Sequence, residues 1–477
     1  MIKKIFILCG GTVNHVSPHF ALTAPAYGAV GLKIYNGLLE ERANSIFNKD
    51  KYEIELIPTQ MALSVLPDDC LMNYGYYLKQ AGLNKLETND DLSVFIDYLI
   101  SKEDTRCIVM AAAVCDFEPS TITRSPSISE MLNKKTEIKI DFGKDKDRLD
   151  SSRHYLMSIW PSKKILPKIR QQRKDIFVVS FKTTAGVGRD ETYKKGLLAL
   201  KKNSSNLVFA NDIQDKINMV VTPEEFPYEA ETREDAVKKL CEITYKRLNL
   251  TFEDKTILKD DVRAFPEELI KEGAIPENWY AIMKYLFDYE AFKPLPGTGK
   301  TSGHFGCRVD GKEYERITSE RKINHNESFE RGMIPVYSYK NGELVVGGAK
   351  PSVGEKTQEL IYQELGDKIH SIIHFHCPMW EQDWRKSIIP IREQLPFECG
   401  SLECSINTVS GIKESTKTFA SLVAPGIYAV HLENHGPNIA FHKDVPTSVL
   451  IRFIEKNWNL KSKTGGIIIE SKDKLEI

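Results

Sequence analysis

Through the first half of the chain, short apolar runs alternate with longer stretches whose apolar residues recur at helical spacing. The runs are Lys4–Leu8, Tyr52–Pro58, Cys107–Ala113, Ile176–Ser180, Leu207–Ala210 and Met219–Thr222. Between them, Gly31–Ile46, Asp91–Ser101, Tyr193–Lys201 and Arg233–Leu248 read as helices. Strands separated by helices predict an α/β fold, a doubly wound, Rossmann-like parallel sheet. Residues 118–160 break the rhythm with Ser, Thr, Lys and Asp, and read as an excursion from the sheet, a flap or a dimerisation arm.

The second half has a different texture. A helical pattern begins at Trp279, β-type segments follow at Ile334–Tyr339, Ile372–Phe375 and Tyr428–Leu432, and a last helix spans Pro446–Trp458. A charged stretch holding Pro266 and Pro276 lies between the halves. The expected division is a domain over 1–250, a linker over 251–275 and a second domain over 276–477.

Charge narrows the partners. The 477 residues carry 65 basic and 66 acidic side chains, a net charge of −1. Nucleic acid and anionic membrane surfaces both call for a clustered positive excess, so neither is expected, and a small molecule is. No apolar run reaches the ~18–20 residues that span a bilayer. The apolar stretch within Met1–Thr12 is too short for a signal sequence. Nine cysteines without a CxxC pair suit a reducing, cytoplasmic setting.

Eight of the eleven histidines follow residue 300. His374 and His376 sit at i and i+2 of a predicted strand, so their imidazoles project from one face. His435 follows another apolar run, in Leu432-Glu433-Asn434-His435-Gly436. Three neutral imidazoles with an open fourth position are a usual catalytic zinc set. Around them stand Thr301-Ser302-Gly303-His304, which ends the glycine-rich Pro296–His304 segment, then Ile317-Thr318-Ser319 and Lys350-Pro351-Ser352. In this order, residues about 280–460 resemble the class II aldolase/adducin family. The resemblance implies an α/β/α domain with a mainly antiparallel sheet, and Zn²⁺ (or Mn²⁺ or Fe²⁺) on His374, His376 and His435. It also implies a substrate phosphate bound at Gly303, His304, Ser319 and Ser352, and Glu355 or Glu359 as acid and base. The chain departs from the family pattern in three places: His304 replaces an Asn, Ser319 is followed by Glu320-Arg321, and Pro351-Ser352-Val353-Gly354-Glu355 is one residue longer than Pro-Ser-x-Glu.

In the first half, Cys9-Gly10-Gly11-Thr12 follows the first strand. Glycines there let backbone approach a phosphate. Polar residues close the later strands at Cys115-Asp116, Phe181-Lys182-Thr183-Thr184 and Ala210-Asn211-Asp212, the strand ends where such sheets bind ligands. With Asn218-Met219-Val220, residues about 3–247 resemble the phosphopantothenate–cysteine ligase family. The resemblance implies a nucleotide pocket of Phe181, Ala210, Asn211 and Asp212, with Gly10, Gly11 and Asp116 near phosphates or metal, and CTP with Mg²⁺ as co-substrate. The family's asparagine before the first helix is missing from Leu22–Gly31, and Thr184 stands where it has a glutamate. Lys146 or Arg148 is the candidate for its basic element.

The leading expectation is a bifunctional enzyme with a metal-dependent lyase half and a carboxylate-activating half, assembled, as both families are, into a dimer or tetramer. An adducin-like, non-catalytic interaction module is the alternative. A dinucleotide oxidoreductase is disfavoured by the missing GxGxxG.

Overall fold

A computed structural model describes residues 2–45, 51–125, 138–152, 154–252, 256–289, 291–292, 301–321, 328–340, 343–380, 389–418 and 425–465. Pro296–Lys300 of the glycine-rich segment lies outside them. The chain divides into two compact units: Met1–Gly186, Ala199–Val220 and Glu229–Leu248 in the first, and Val187–Leu198, Val221–Tyr228 and Asn249–Ile477 in the second.

The predicted α/β character is present in both units, each built around a large sheet. The first has seven strands in the order Pro227–Ala230, Ile217–Val221, Leu207–Asp212, Phe177–Thr184, Thr105–Ala113, Lys3–Gly11 and Tyr52–Pro58. Lys3–Gly11 runs parallel to Tyr52–Pro58 and Thr105–Ala113, and Phe177–Thr184 runs parallel to Thr105–Ala113 and Leu207–Asp212. These strands are near-continuous apolar runs because helices bury both faces. Helix Asn89–Ser101 shows how one is set: Thr88 and Asp91 close a capping box, and Leu92, Phe95, Ile96 and Leu99 fall on one buried stripe. The excursion is itself a small sheet, with Phe117–Ser125 between Ile138–Ile140 and His154–Pro161.

The second unit holds a nine-stranded sheet in the order Thr256–Asp260, Glu343–Gly347, Met333–Lys340, Arg316–Ser319, His304–Arg308, Ser371–His374, Gly436–Phe441, Ile427–Leu432 and Ile391–Arg392. Its inner pairs are antiparallel and its two edge pairs parallel. Helices Glu277–Asp288 and Thr447–Asn457 cover one face over Trp279, Phe292, Phe305, Phe375 and Trp458. Helices Glu355–Leu365 and Leu402–Thr418 cover the other over Ile361, Ile372, Ile412 and Val430. The segment expected as a linker supplies an edge strand, Thr256–Asp260, and a short helix, Pro266–Lys271.

No disulfide joins the nine cysteines. Among the described residues, no helix is long and apolar enough to cross a membrane.

Candidate metal centre and nucleotide end

Strand Ser371–His374 places the first histidine, and its alternation continues beyond its end. Ile373, Phe375 and Cys377 point into the aromatic core, so His374 and His376 emerge on the other side. His435 sits in the tight turn between Ile427–Leu432 and Gly436–Phe441, entered through Asn434 at φ 58°. A side chain on Gly436, at φ 152°, would collide with the Phe375 carbonyl. Glycine there lets the turn press His435 against the other two.

The three imidazoles are buried, and one nitrogen from each lies within 4.8 Å of the others. His374 Nε2 and His435 Nε2 are 3.3 Å apart. Two ligands at about 2.0–2.1 Å from a tetrahedral cation are separated by about 3.4 Å, so the spacing fits. The distal nitrogens are held: His374 Nδ1–H donates to the Pro437 carbonyl at 2.7 Å, and His435 Nδ1 faces Gln394 Oε1 at 3.3 Å. That arrangement leaves both Nε2 lone pairs facing inward. His376 Nδ1 is buried without a hydrogen bond, and Glu225 Oε2 lies 3.4 Å from it. Burial first, then the neighbouring imidazoles, holds His374 neutral, the form that binds metal. A borderline cation such as Zn²⁺ suits this donor set.

His304 pairs with His374 across the sheet, their rings 4.7 Å apart. Burial, helped by His376, pushes its pKa down to about 3. The Gln358 amide donates to its Nδ1 at 3.0 Å, which places its own proton on Nε2. A Cβ on Gly354 would run into this ring. Two of the departures from the family pattern are therefore one feature, since the ring at 304 occupies the space that glycine leaves at 354. The remaining expected phosphate residues gather here as well. Phe305 N–H donates to Ser319 Oγ at 3.3 Å, Ser352 N–H donates to the Ser319 carbonyl at 3.0 Å, and Gly303 sits against the His374 carbonyl.

The expected acid and base face elsewhere. Arg316, buried on its strand, donates to both Glu355 and Glu359, and Thr318 donates to the second oxygen of Glu355. These carboxylates close a buried ion triad. Burial opposes the charge of Arg316, but the two carboxylates outweigh it and raise its pKa. Among the described residues, the carboxylate placed beside His376 is that of Glu225.

Sequence reasoning missed two residues, Glu225 and Lys463. Lys463 is buried and donates to Ser302 Oγ at 2.6 Å, while the next residue, Thr464, bonds the His376 and His435 carbonyls. Neither lies in a motif, so no local sequence signal marks either of them.

In the first unit, the expected nucleotide residues share the carboxyl edge of adjacent parallel strands. Gly10 turns at φ 94° against Thr59. Thr12 Oγ1 donates to Asn89 at 2.5 Å and accepts the Cys115 N–H at 2.8 Å, tying the ends of strands Lys3–Gly11 and Thr105–Ala113 together. Asp116 is exposed beside Lys164 at 2.9 Å. The Phe181 ring lies 5.5 Å from that of Phe209, and Ala210, Asn211 and Asp212 are buried. Asn211 accepts from Thr183 at 3.1 Å. Asp212 Oδ1 accepts the N–H groups of Gly186, Gln214 and Asp215 at 2.9–3.0 Å, and Oδ2 accepts the Thr184 hydroxyl at 2.9 Å.

Comparison with known proteins returns both kinds of resemblance. No family model matches. The coenzyme A biosynthesis bifunctional protein CoaBC of Thermococcus kodakarensis is 19% identical over 212 residues, 44% of this chain and 42% of the relative. The chain thus spans less than half the length of that curated relative. Among solved structures, the DNA/pantothenate metabolism flavoprotein of Streptococcus pneumoniae aligns at 20% identity and TM-score 0.38, over 51% of this chain and 97% of its own. L-Fuculose-1-phosphate aldolase of Thermus thermophilus aligns at 11% identity and TM-score 0.23, over 36% of this chain and 84% of its own.

Proposed function

We propose that this chain is a two-site small-molecule enzyme. The second unit is a divalent-metal lyase-type site for a phosphorylated or hydroxylated carbonyl compound. The first is a nucleotide-dependent, carboxylate-activating ligase-type site that uses CTP with Mg²⁺.

One observation carries the lyase reading: three buried imidazoles converge, with the distal nitrogens of His374 and His435 facing acceptors. An interaction scaffold would have no reason to aim them so. A cation held by His374, His376 and His435 supplies Lewis-acid polarisation of a carbonyl oxygen. The chain's own residues do the rest. Ser302, Gly303, Ser319 and Ser352 offer hydroxyl and backbone groups to a substrate anion, Lys463 adds its positive charge, and the His304 ring lies beside that of His374. The ligase reading is supported by the gathering of Gly10, Gly11, Phe181, Ala210 and Asn211 at one sheet edge, and by a curated relative named for coenzyme A biosynthesis.

Elemental analysis tests the metal site. About one zinc, manganese or iron per chain is expected, lost in His374→Ala and His435→Ala. CTP-dependent pyrophosphate release, screened over carboxylic acids, should persist in both variants. A chain that takes up no metal after reconstitution would return the second unit to the role of a scaffold.

A further inference from the structure

We propose that Glu225 is the positioning carboxylate of the histidine centre: it accepts the Nδ1–H of His376 and so turns that ring's Nε2 toward the cation. The inference rests on the metal reading above and deepens it. Of the three rings, two have their distal nitrogen facing a neutral oxygen, Pro437 O at 2.7 Å and Gln394 Oε1 at 3.3 Å. The third, His376, has a buried Nδ1 with no hydrogen bond, and the group beside it at 3.4 Å is the Glu225 carboxylate. A carboxylate behind a ligating imidazole fixes the ring's tautomer and raises its basicity. A small closing movement brings 3.4 Å into hydrogen-bond range.

Glu225 is built into place. It is 7% exposed and holds φ 66°, a left-handed conformation uncommon for a residue with a side chain. Its N–H closes a turn onto the Thr222 carbonyl at 3.0 Å, and its own carbonyl accepts the Tyr193 hydroxyl at 2.5 Å. The neighbouring Glu224 carboxylate accepts the Cys399 N–H at 2.7 Å. These bonds hold the backbone on both sides of Glu225, so its side chain is aimed by the turn. Held this way, Glu225 brings a carboxylate to a centre whose three ligands are imidazoles.

The test measures Zn²⁺ affinity of the full chain by competition with a chromophoric chelator, and the visible spectrum of the Co²⁺-loaded protein. Glu225→Ala should keep about one metal per chain but bind it about 10–100-fold more weakly. Glu225→Gln, which keeps an oxygen acceptor without the charge, should fall between that variant and the parent. Both should shift the Co²⁺ bands, which a purely structural role would leave in place. Affinity and spectrum equal to the parent in Glu225→Gln overturn the proposal, and that variant decides if Glu225→Ala fails to fold. Complete loss of metal in both variants also overturns it, because Glu225 would then be a ligand. A parent chain that binds no metal refutes the metal reading itself, so the two failures are separable.

Discussion

The two candidate sites use similar side chains in opposite ways. At the carboxyl edge of the parallel sheet, the polar groups mostly satisfy one another, and Asp212 alone takes three backbone N–H groups and a hydroxyl. Those residues shape loops, and a ligand would meet the backbone and the rims they create. Among the histidines, polar atoms are turned toward a common point, with His374 Nε2 and His435 Nε2 3.3 Å apart and their other nitrogens occupied. A site whose partners are internal has little left to offer a cation. A site whose nitrogens converge at this spacing could hold one. Burial of the polar residue does not separate the two cases, since Asp212 and His374 are both buried; the direction of the leftover lone pairs does.

The largest effect should come from the buried triad that underlies the second site. Arg316→Met leaves Glu355 and Glu359 without their cation, and should cost about 3–5 kcal/mol in urea unfolding. A change under about 1 kcal/mol would mean the two carboxylates are free for acid–base work after all. Next, Asp212→Ala removes the acceptor for four donors, and should cost about 2–3 kcal/mol. If it instead weakened CTP binding at unchanged stability, Asp212 would be a nucleotide ligand and the contrast between the sites would collapse.

The legible parts of this molecule were those fixed by local chemistry. Alternating strands and helices, the HxH spacing and the glycine after His435 each follow from a few adjacent residues. Helix Asn89–Ser101 and the strand ending at His374 fall where periodicity puts them. Contacts across long sequence separations were not legible. Glu225 meets His376 from 151 positions away, and Arg316 reaches Glu355 from 39. A glutamate near a predicted metal site therefore looked catalytic while its arginine went unseen. The extra residue in Pro351–Glu355 likewise made sense only once the His304 ring was seen lying over Gly354.

Lys463 sharpens the contrast from the substrate side. It donates to Ser302 Oγ from a buried position, beside the turn expected to hold a phosphate. Lys463→Met should weaken inorganic phosphate binding to the metal-loaded chain about tenfold, about 1.4 kcal/mol, while leaving metal content unchanged. Phosphate affinity equal to the parent would make Lys463 a strut for the Thr464 backbone.

The smallest effect belongs to the first unit, where charge is paired nearer the surface. Burial alone would raise the Glu87 carboxyl, but hydrogen bonds from Lys144 and Lys85 outweigh it and hold its pKa down at about 2. A carboxylate lowered by folding contributes stability that is fully present above its ordinary 4.5 and is lost as pH falls toward about 2. Because Lys85 and Lys144 are 42% and 49% exposed, solvent screens the pair, and the contribution should stay below about 1 kcal/mol. Unfolding curves of the parent and Glu87→Gln should therefore differ slightly near neutrality and converge as pH drops from about 5 to about 2. A gap of several kcal/mol at neutral pH would show that this cluster behaves like the buried Arg316 triad. Solvent would then not screen the Lys85–Glu87–Lys144 cluster as its exposure implies.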